Sequence, residues 1–301
     1  MESSVVIIAD NISKRYKSAE GTVNAVSDVS LTIESGEILG FLGLNGAGKT
    51  TMIKILAGLI EPDEGTIEIN GSKRNSKLKV SALLEGHRNL YWRLSVMENL
   101  EYFGVLRGLS AKAARQRAYE LLDTFNLTDK AGQYVQKLSR GMQQRLAVCV
   151  AMVHNPQVLL LDEPTLGIDF DNTQALVESI FKLKEQGTSI LITTHELAVA
   201  EKLSDRVAII AKGQLVADDI KPKSLHQNVQ DIYQLDLGDD IDDELRAVLA
   251  ELKLDISDRK VSGIENEQLY KVLDLVNPLP IMSLTKVVPD FEKVFLSYAR
   301  S

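Results

Sequence analysis

Residues 43–50 read GLNGAGKT, which fills every position of the pattern G-x-x-x-x-G-K-[ST]. The stretch follows the strand-like EILGFL and runs straight into the helix-like KTTMIKILAGL. Glycines 43, 46 and 48 let the backbone bend so that the N–H groups of Gly43, Leu44, Asn45, Gly46, Ala47 and Gly48 turn inward onto phosphate oxygens. The positive end of the following helix reinforces them. Lys49 is then placed to neutralise β and γ phosphates, and the Thr50 hydroxyl to ligate Mg²⁺, with Thr51 in the same binding segment. A dinucleotide loop fails on spacing, because these glycines run G-x-x-G-x-G and not G-x-G-x-x-G.

Phosphoryl transfer to water also needs a carboxylate for the metal and a group that orients the water. VLLLDEPT delivers two acids at the end of an apolar run: Asp162 for Mg²⁺, directly or through water, and Glu163 as candidate general base. TTHE, at the end of SILITT, brings His195 to the same strand-end edge, within reach of a γ phosphate. The chemistry implied is hydrolysis of a nucleoside triphosphate.

Elements that could hold these groups alternate in type, as in an α/β fold. VVIIA, VSLTI, EILGFL and TIEIN read as strands, with a turn at Ser35-Gly36, and residues 49–59 as a helix ending near Gly58 and Pro62. From Ser95 to about Lys137 the chain turns helical: SVME is a capping box of Ser95 with Glu98, and AKAARQRAYELLDTF is a second amphipathic helix. QVLLLD, SILITT and RVAIIA supply buried-type strands, and KGQLVAD a closing hairpin. The polar KPKSLHQNVQ marks a boundary near Lys221. Beyond it YQLDL, DDELRAVLAELK, LDISD, EQLYKVLDLV, IMSLTKVV and PDFEKVFLSYA read as a small strand-helix-strand-helix-strand-helix unit. The acidic LGDDIDDE is a solvated helix start, lacking the spacing of a calcium loop.

Composition narrows the function classes. With 301 residues, 45% hydrophobic and 25% charged, the chain is globular and long enough for about two domains. A net charge of −8 argues against nucleic-acid binding through a general basic field. The single cysteine, Cys149, lies in the apolar AVCVAMV and is expected to be a small buried hydrophobe. No stretch approaches the ~20 apolar residues of a spanning helix. The opening MESSVVIIADNISKRY has only a four-residue apolar run, too short for a signal peptide. A cytoplasmic location is expected, with any membrane span supplied by another polypeptide.

In order along residues ~5 to ~220, GLNGAGKT, LSRGMQQR, LLLDEPT, GID and TTHE resemble the ATP-binding subunit of an ABC transporter. The resemblance implies an α/β P-loop NTPase core with an antiparallel β subdomain and a helical subdomain (about 90–155) in residues 1–221, and a small α/β C-terminal extension in 222–301. It implies ATP and Mg²⁺ as ligands, and peripheral attachment to the inner face of the cell membrane through a separate permease. Because this chain has one set of motifs, it also implies a homodimer or heterodimer. In the resembling family LSRGMQQR is usually LSGGQ, set at a helix N-terminus; Ser139 and the backbone near Gly141 would hold the γ phosphate of an ATP on the other subunit. Arg140 and Met142 depart from that pattern. Tyr16 would stack on adenine, with a half-buried aromatic on a β surface as the alternative, and Asp169 would lie at the dimer seam. NLYWRLSVMENL carries Tyr91 and Trp92, which either dock on the permease or pack in the core.

The family's usual glutamine in the loop before the helical insert reaches Mg²⁺ and the attacking water. Here that loop reads ALLEGHRNLYW, with no glutamine before Gln116, so Glu85 is either the substitute ligand or a surface residue. The tail and LSRGM resemble the exporter branch serving drugs, polysaccharides, peptides or lipids. Two other readings are a regulatory protein that closes on ATP with slow or no turnover, and a soluble ATPase acting on ribosome or DNA.

Overall fold

The computed structural model describes residues 5–18, 21–73, 79–85, 90–225 and 232–287. The chain falls into two compact units, Met1–Pro222 and Lys223–Ser301.

The first unit contains, in order, β1 (Val5–Ser18), β2 (Gly21–Glu34), β3 (Ile38–Leu42), α1 (Lys49–Leu56), β4 (Glu64–Ile69), β5 (Ser72–Lys73) and β6 (Val80–Leu83). These are followed by α2 (Val96–Leu106), α3 (Ala111–Thr124), α4 (Arg140–Met152), β7 (Val158–Asp162), α5 (Phe170–Glu185), β8 (Ser189–Thr194), α6 (Leu197–Leu203), β9 (Arg206–Ala211) and β10 (Gln214–Ile220). Two sheets form. One is antiparallel, in the order β2-β1-β4-β5. The other runs β10-β9-β3-β8-β7-β6 and is parallel except for β10, which folds back on β9 through Lys212-Gly213.

The central strands are apolar without alternation because both faces are covered. Every residue of β3, β7 and β8 is buried. On one side Leu39, Phe41, Leu160 and Leu191 share a core with Met52, Ile53 and Ile55 of α1 and with the inner face of β1 and β2. On the other, Leu159, Leu161, Ile190 and Ile192 share a core with α2 to α5. Strand ends can therefore meet ligand while strand bodies stay dry.

The helical stretch is held by packing and caps. Ser95 Oγ accepts from Glu98 N at 3.2 Å while Glu98 Oε2 accepts from Ser95 N at 2.7 Å, completing the capping box. A Cβ on Gly104 would lie 2.7 Å from Ala114 Cβ, so α2 and α3 approach closely only because position 104 is glycine. Cys149 is fully buried, and burial pushes its thiol pKa up, in keeping with a packing role. Tyr91 and Trp92 are each about half exposed; Tyr91 stacks on Phe103 and meets Tyr102 edge-on.

The second unit has β11 (Ile232–Leu237), α7 (Asp243–Glu251), β12 (Asp255–Ile256), β13 (Lys260–Glu265), α8 (Leu269–Val276) and β14 (Ile281–Val287), with sheet order β12-β13-β11-β14. Asp242 caps α7 by accepting from Leu245 N, as the acidic helix start requires. Two points differ from the sequence expectation. KVSGIE, outside the three strands expected for this unit, is β13 and pairs with both β11 and β12; Gly263 at φ +80 interrupts its apolar pattern. The helix from Lys49 stops at Leu56, before residue 59, because Gly58 at φ +68 turns the chain out. The helix expected over PDFEKVFLSYA, like residues 86–89 and 226–231, lies outside the described residues. Among the described residues no helix is long and apolar enough to cross a membrane.

Just past α4, both ring nitrogens of His154 are buried and have no hydrogen-bond partner among the described residues. Burial, and then the Arg107 charge, push its pKa down to about 4 from 6.5. The unfolded chain takes up this proton at the higher pH, so the contribution to stability is full above about pH 6.5 and is lost as pH falls towards 4. Urea midpoints measured from pH 7.5 to 4.5 should fall less steeply for His154→Gln than for the wild type.

Candidate active site

The ends of β3, β7 and β8 meet at one edge of the parallel sheet, in a register that pairs Leu42 with Thr194 and Asp162 with Thr193. The chain leaves β3 into the glycine loop, and α1 begins at Lys49 with Gly48 at φ +112 as its N-cap. Glycine is required by space as well as conformation. A Cβ on Gly48 would sit 2.4 Å from the Ala25 carbonyl oxygen, and one on Gly43 2.6 Å from that of Ile210. The loop is thus pressed against β2 and β9.

Lys49 is buried, 6% exposed, and its ammonium is fully engaged. Nζ donates to the carbonyls of Gly43 (2.6 Å) and Leu44 (3.3 Å) and pairs with Glu163 Oε1 at 3.1 Å. Glu163, 7% exposed, reaches His195 Nδ1 through its other oxygen at 3.0 Å. Its backbone is held at φ +47, a left-handed conformation that costs a non-glycine residue about 1–3 kcal/mol. Two contacts hold it there: Glu163 N donates to Thr193 Oγ1 (3.0 Å) and to the Thr193 carbonyl (3.2 Å). The same Thr193 hydroxyl donates to Asp162 Oδ1 at 2.7 Å. One side chain of β8 therefore orients both acids.

A cavity of about 490 Å³ opens over these groups. Its wall consists of residues 44–51, Val23, Asn24 and Ala25 of β2, and Glu85, Glu163, Leu166 and His195. Glu85 thus faces the same space as Lys49, Thr50 and Glu163. Asp162 lies beneath the wall, 1% exposed, and its Oδ2 has no hydrogen-bond partner among the described residues. A buried carboxylate oxygen left over in this way suits a hard cation. Among the described residues no cluster of three or more His, Cys, Asp or Glu is placed to hold a metal.

Other singled-out residues stand outside the cavity. Tyr16 is 41% exposed on β1, paired with Val23 of β2. Ser139 is the N-cap of α4 and accepts from Met142 N, with Arg140 and Gly141 in the first turn. Asp169 is the N-cap of α5, and hydrogen bonds from the Asn172 backbone and then its side chain lower the carboxyl pKa. Reading the sequence missed Thr193, although TTHE contains it, and missed Val23, Asn24, Ala25 and Leu166, which carry no local signal.

The family profile described as ABC transporter matches residues 26–166. The linearmycin resistance ATP-binding protein LnrL of Bacillus subtilis (strain 168) is 31% identical over 306 residues, covering 96% of each chain. The methionine import ATP-binding protein MetN 2 of Bacillus licheniformis is 36% identical over 234 residues, 72% of this chain and 68% of its own. Among solved structures, the dimeric post-hydrolysis form of the ATP-binding cassette MJ0796 bound to ADP and Pi superposes with a TM-score of 0.65 at 28% identity, covering 72% of this chain and 98% of that one.

Removing the buried ammonium should be felt first in binding. Lys49→Ala is expected to weaken a fluorescent ATP analogue by roughly 10- to 100-fold in an equilibrium titration, the value of a charge-assisted hydrogen bond to phosphate. Unchanged affinity would remove Lys49 from the phosphate site.

Proposed function

The chain belongs to the ABC transporter family, and on that premise we propose that it powers export through a separate membrane permease by binding and hydrolysing ATP between two copies of the cassette. It is an ATPase of that family. The observation that carries the reading is the convergence on one cavity of the phosphate loop, Glu163 and His195.

Residues 43–51 receive the phosphates, with the backbone N–H groups and Lys49 carrying the charge. Thr50, Asp162 and Glu85 would hold Mg²⁺, which would supply positive charge to offset that of the phosphates. Phosphate and Glu163 compete for the same ammonium, since Lys49 now pairs with Glu163 Oε1. As Lys49 turns to the phosphate, Glu163 is released to take a proton from the attacking water. His195, already bonded to Glu163 Oε2, keeps that carboxylate aimed and lies within the cavity to meet the γ phosphate. Tyr16 stacks on adenine.

A second copy presents Ser139, Arg140 and Gly141 from the start of its α4 to the γ phosphate, with Asp169 at the seam. MJ0796 is dimeric with ADP and Pi, which supports this arrangement. Residues 1–221 form the ATP-binding domain, and 222–301 a small extension. The permease docks on the helical part through Tyr91 and Trp92, so the chain works from the inner face of the cell membrane. Export is supported by LnrL, a resistance protein matched over 96% of this chain and so through the tail as well as the cassette. Relatives of both kinds are compatible with the cassette itself.

Steady-state ATPase, with and without membranes carrying the permease, tests the reading. Glu163→Gln should lower turnover by about 100-fold or more, the usual worth of a general base; equal rates in variant and wild type would sink it. Glu85→Gln should require more Mg²⁺ to reach half-maximal ATP binding, because an amide is a weaker ligand for a hard cation. Superimposable Mg²⁺ titrations would place Glu85 outside the metal's reach.

A further inference from the structure

Asn172 stands in the first turn of α5, outside the cavity wall, and joins the α5 cap to α4. Its backbone N donates to Asp169 Oδ1 at 2.9 Å, and its Nδ2 donates to Asp169 Oδ1 and Oδ2 at 3.0 and 2.7 Å. Its Oδ1 accepts from Arg145 Nη2 of α4 at 3.4 Å, and Arg145 Nη1 donates onward to the Phe125 carbonyl at 3.0 Å. The partners settle the amide's orientation, because a carboxylate only accepts and a guanidinium only donates. The same side chain fills the space over Gly141: a Cβ there would lie 2.2 Å from Asn172 Cγ.

We propose that Asn172 is a positioning residue for ATP hydrolysis, locking the Asp169 carboxylate and the Gly141 turn of α4 into one surface. The inference rests on the proposed function, in which that surface closes on the nucleotide of a second copy. Two features of distant sequence, the α4 start and the α5 cap, then meet the partner as a single rigid patch. Asn172 touches none of the cavity, so it acts on the closed assembly and not on the first capture of ATP.

The test compares full-length wild type, Asn172→Ala and Asn172→Asp by steady-state ATPase with the permease present, alongside thermal midpoints. The Asp variant keeps the shape over Gly141 and the Arg145 contact but turns a carboxylate onto Asp169. Loss of the lock should lower kcat by about tenfold in the Ala variant and at least as much in the Asp variant, with KM unchanged, as misplacement away from the chemistry does. Wild-type kcat in both variants overturns the inference. So does wild-type kcat in Asn172→Asp alone, which would reduce the residue to a space filler. If the wild type itself turns over no ATP with permease present, the proposed function fails and this inference falls with it.

Discussion

In the parallel ladder of β3, β8 and β7, one register aligns Leu42 with Thr194 and Thr193 with Asp162, and that alignment brings the Thr193 hydroxyl to Asp162 and His195 to Glu163. Slipping β8 by one residue would turn Thr193 to the opposite face of the sheet. Asp162 would then lose the donor to its Oδ1, and Glu163 the acceptor that holds its backbone at positive φ. The register is secured by burial. Leu159, Leu161, Ile190 and Ile192 enter one core while Leu160 and Leu191 enter the other, so a shift exchanges two packed sets at once.

Upon this frame sits a buried ion pair whose members have other work. Lys49 and Glu163 are both under 10% exposed, and desolvation of each is offset only by the other and by fixed neighbours: two carbonyls for Lys49, His195 and Thr193 for Glu163. Buried pairs of this kind contribute little net stability, since Coulomb attraction roughly balances lost hydration. Their value here is placement. Separating such a pair leaves a buried charge uncompensated, so the ammonium stays on Glu163 until another anion takes its place, while His195 holds the other carboxylate oxygen.

How much of this was legible depended on whether a contact is local. GLNGAGKT and VLLLDEPT are contiguous, and their chemistry follows from spacing alone. Thr193 was not legible as an orienting group because its two partners lie 30 and 31 residues away and depend on β7–β8 register. Val23, Asn24 and Ala25 join the cavity only because β2 is pressed against Gly48, a contact that no pattern within either segment announces. In the second unit, β13 escaped notice because Gly263 breaks the alternation, although pairing with β11 and β12 easily outweighs a weak local propensity.

Arg140 shows why a departure from a family pattern has to be judged in three dimensions. On the sequence it replaces a glycine at the start of α4 and puts side-chain contacts there in question. In the fold its guanidinium lies against Gly167, where a Cβ would come within 2.6 Å of it, and Nη2 donates to the Leu166 carbonyl at 3.4 Å. Leu166 is part of the cavity wall. The arginine is therefore turned towards the loop between β7 and α5 of its own chain, and a glycine at 167 makes room for it. A large cationic residue is accommodated by bracing the cavity-side loop, and the backbone N–H groups at the start of α4 keep their direction because Ser139 still caps the helix.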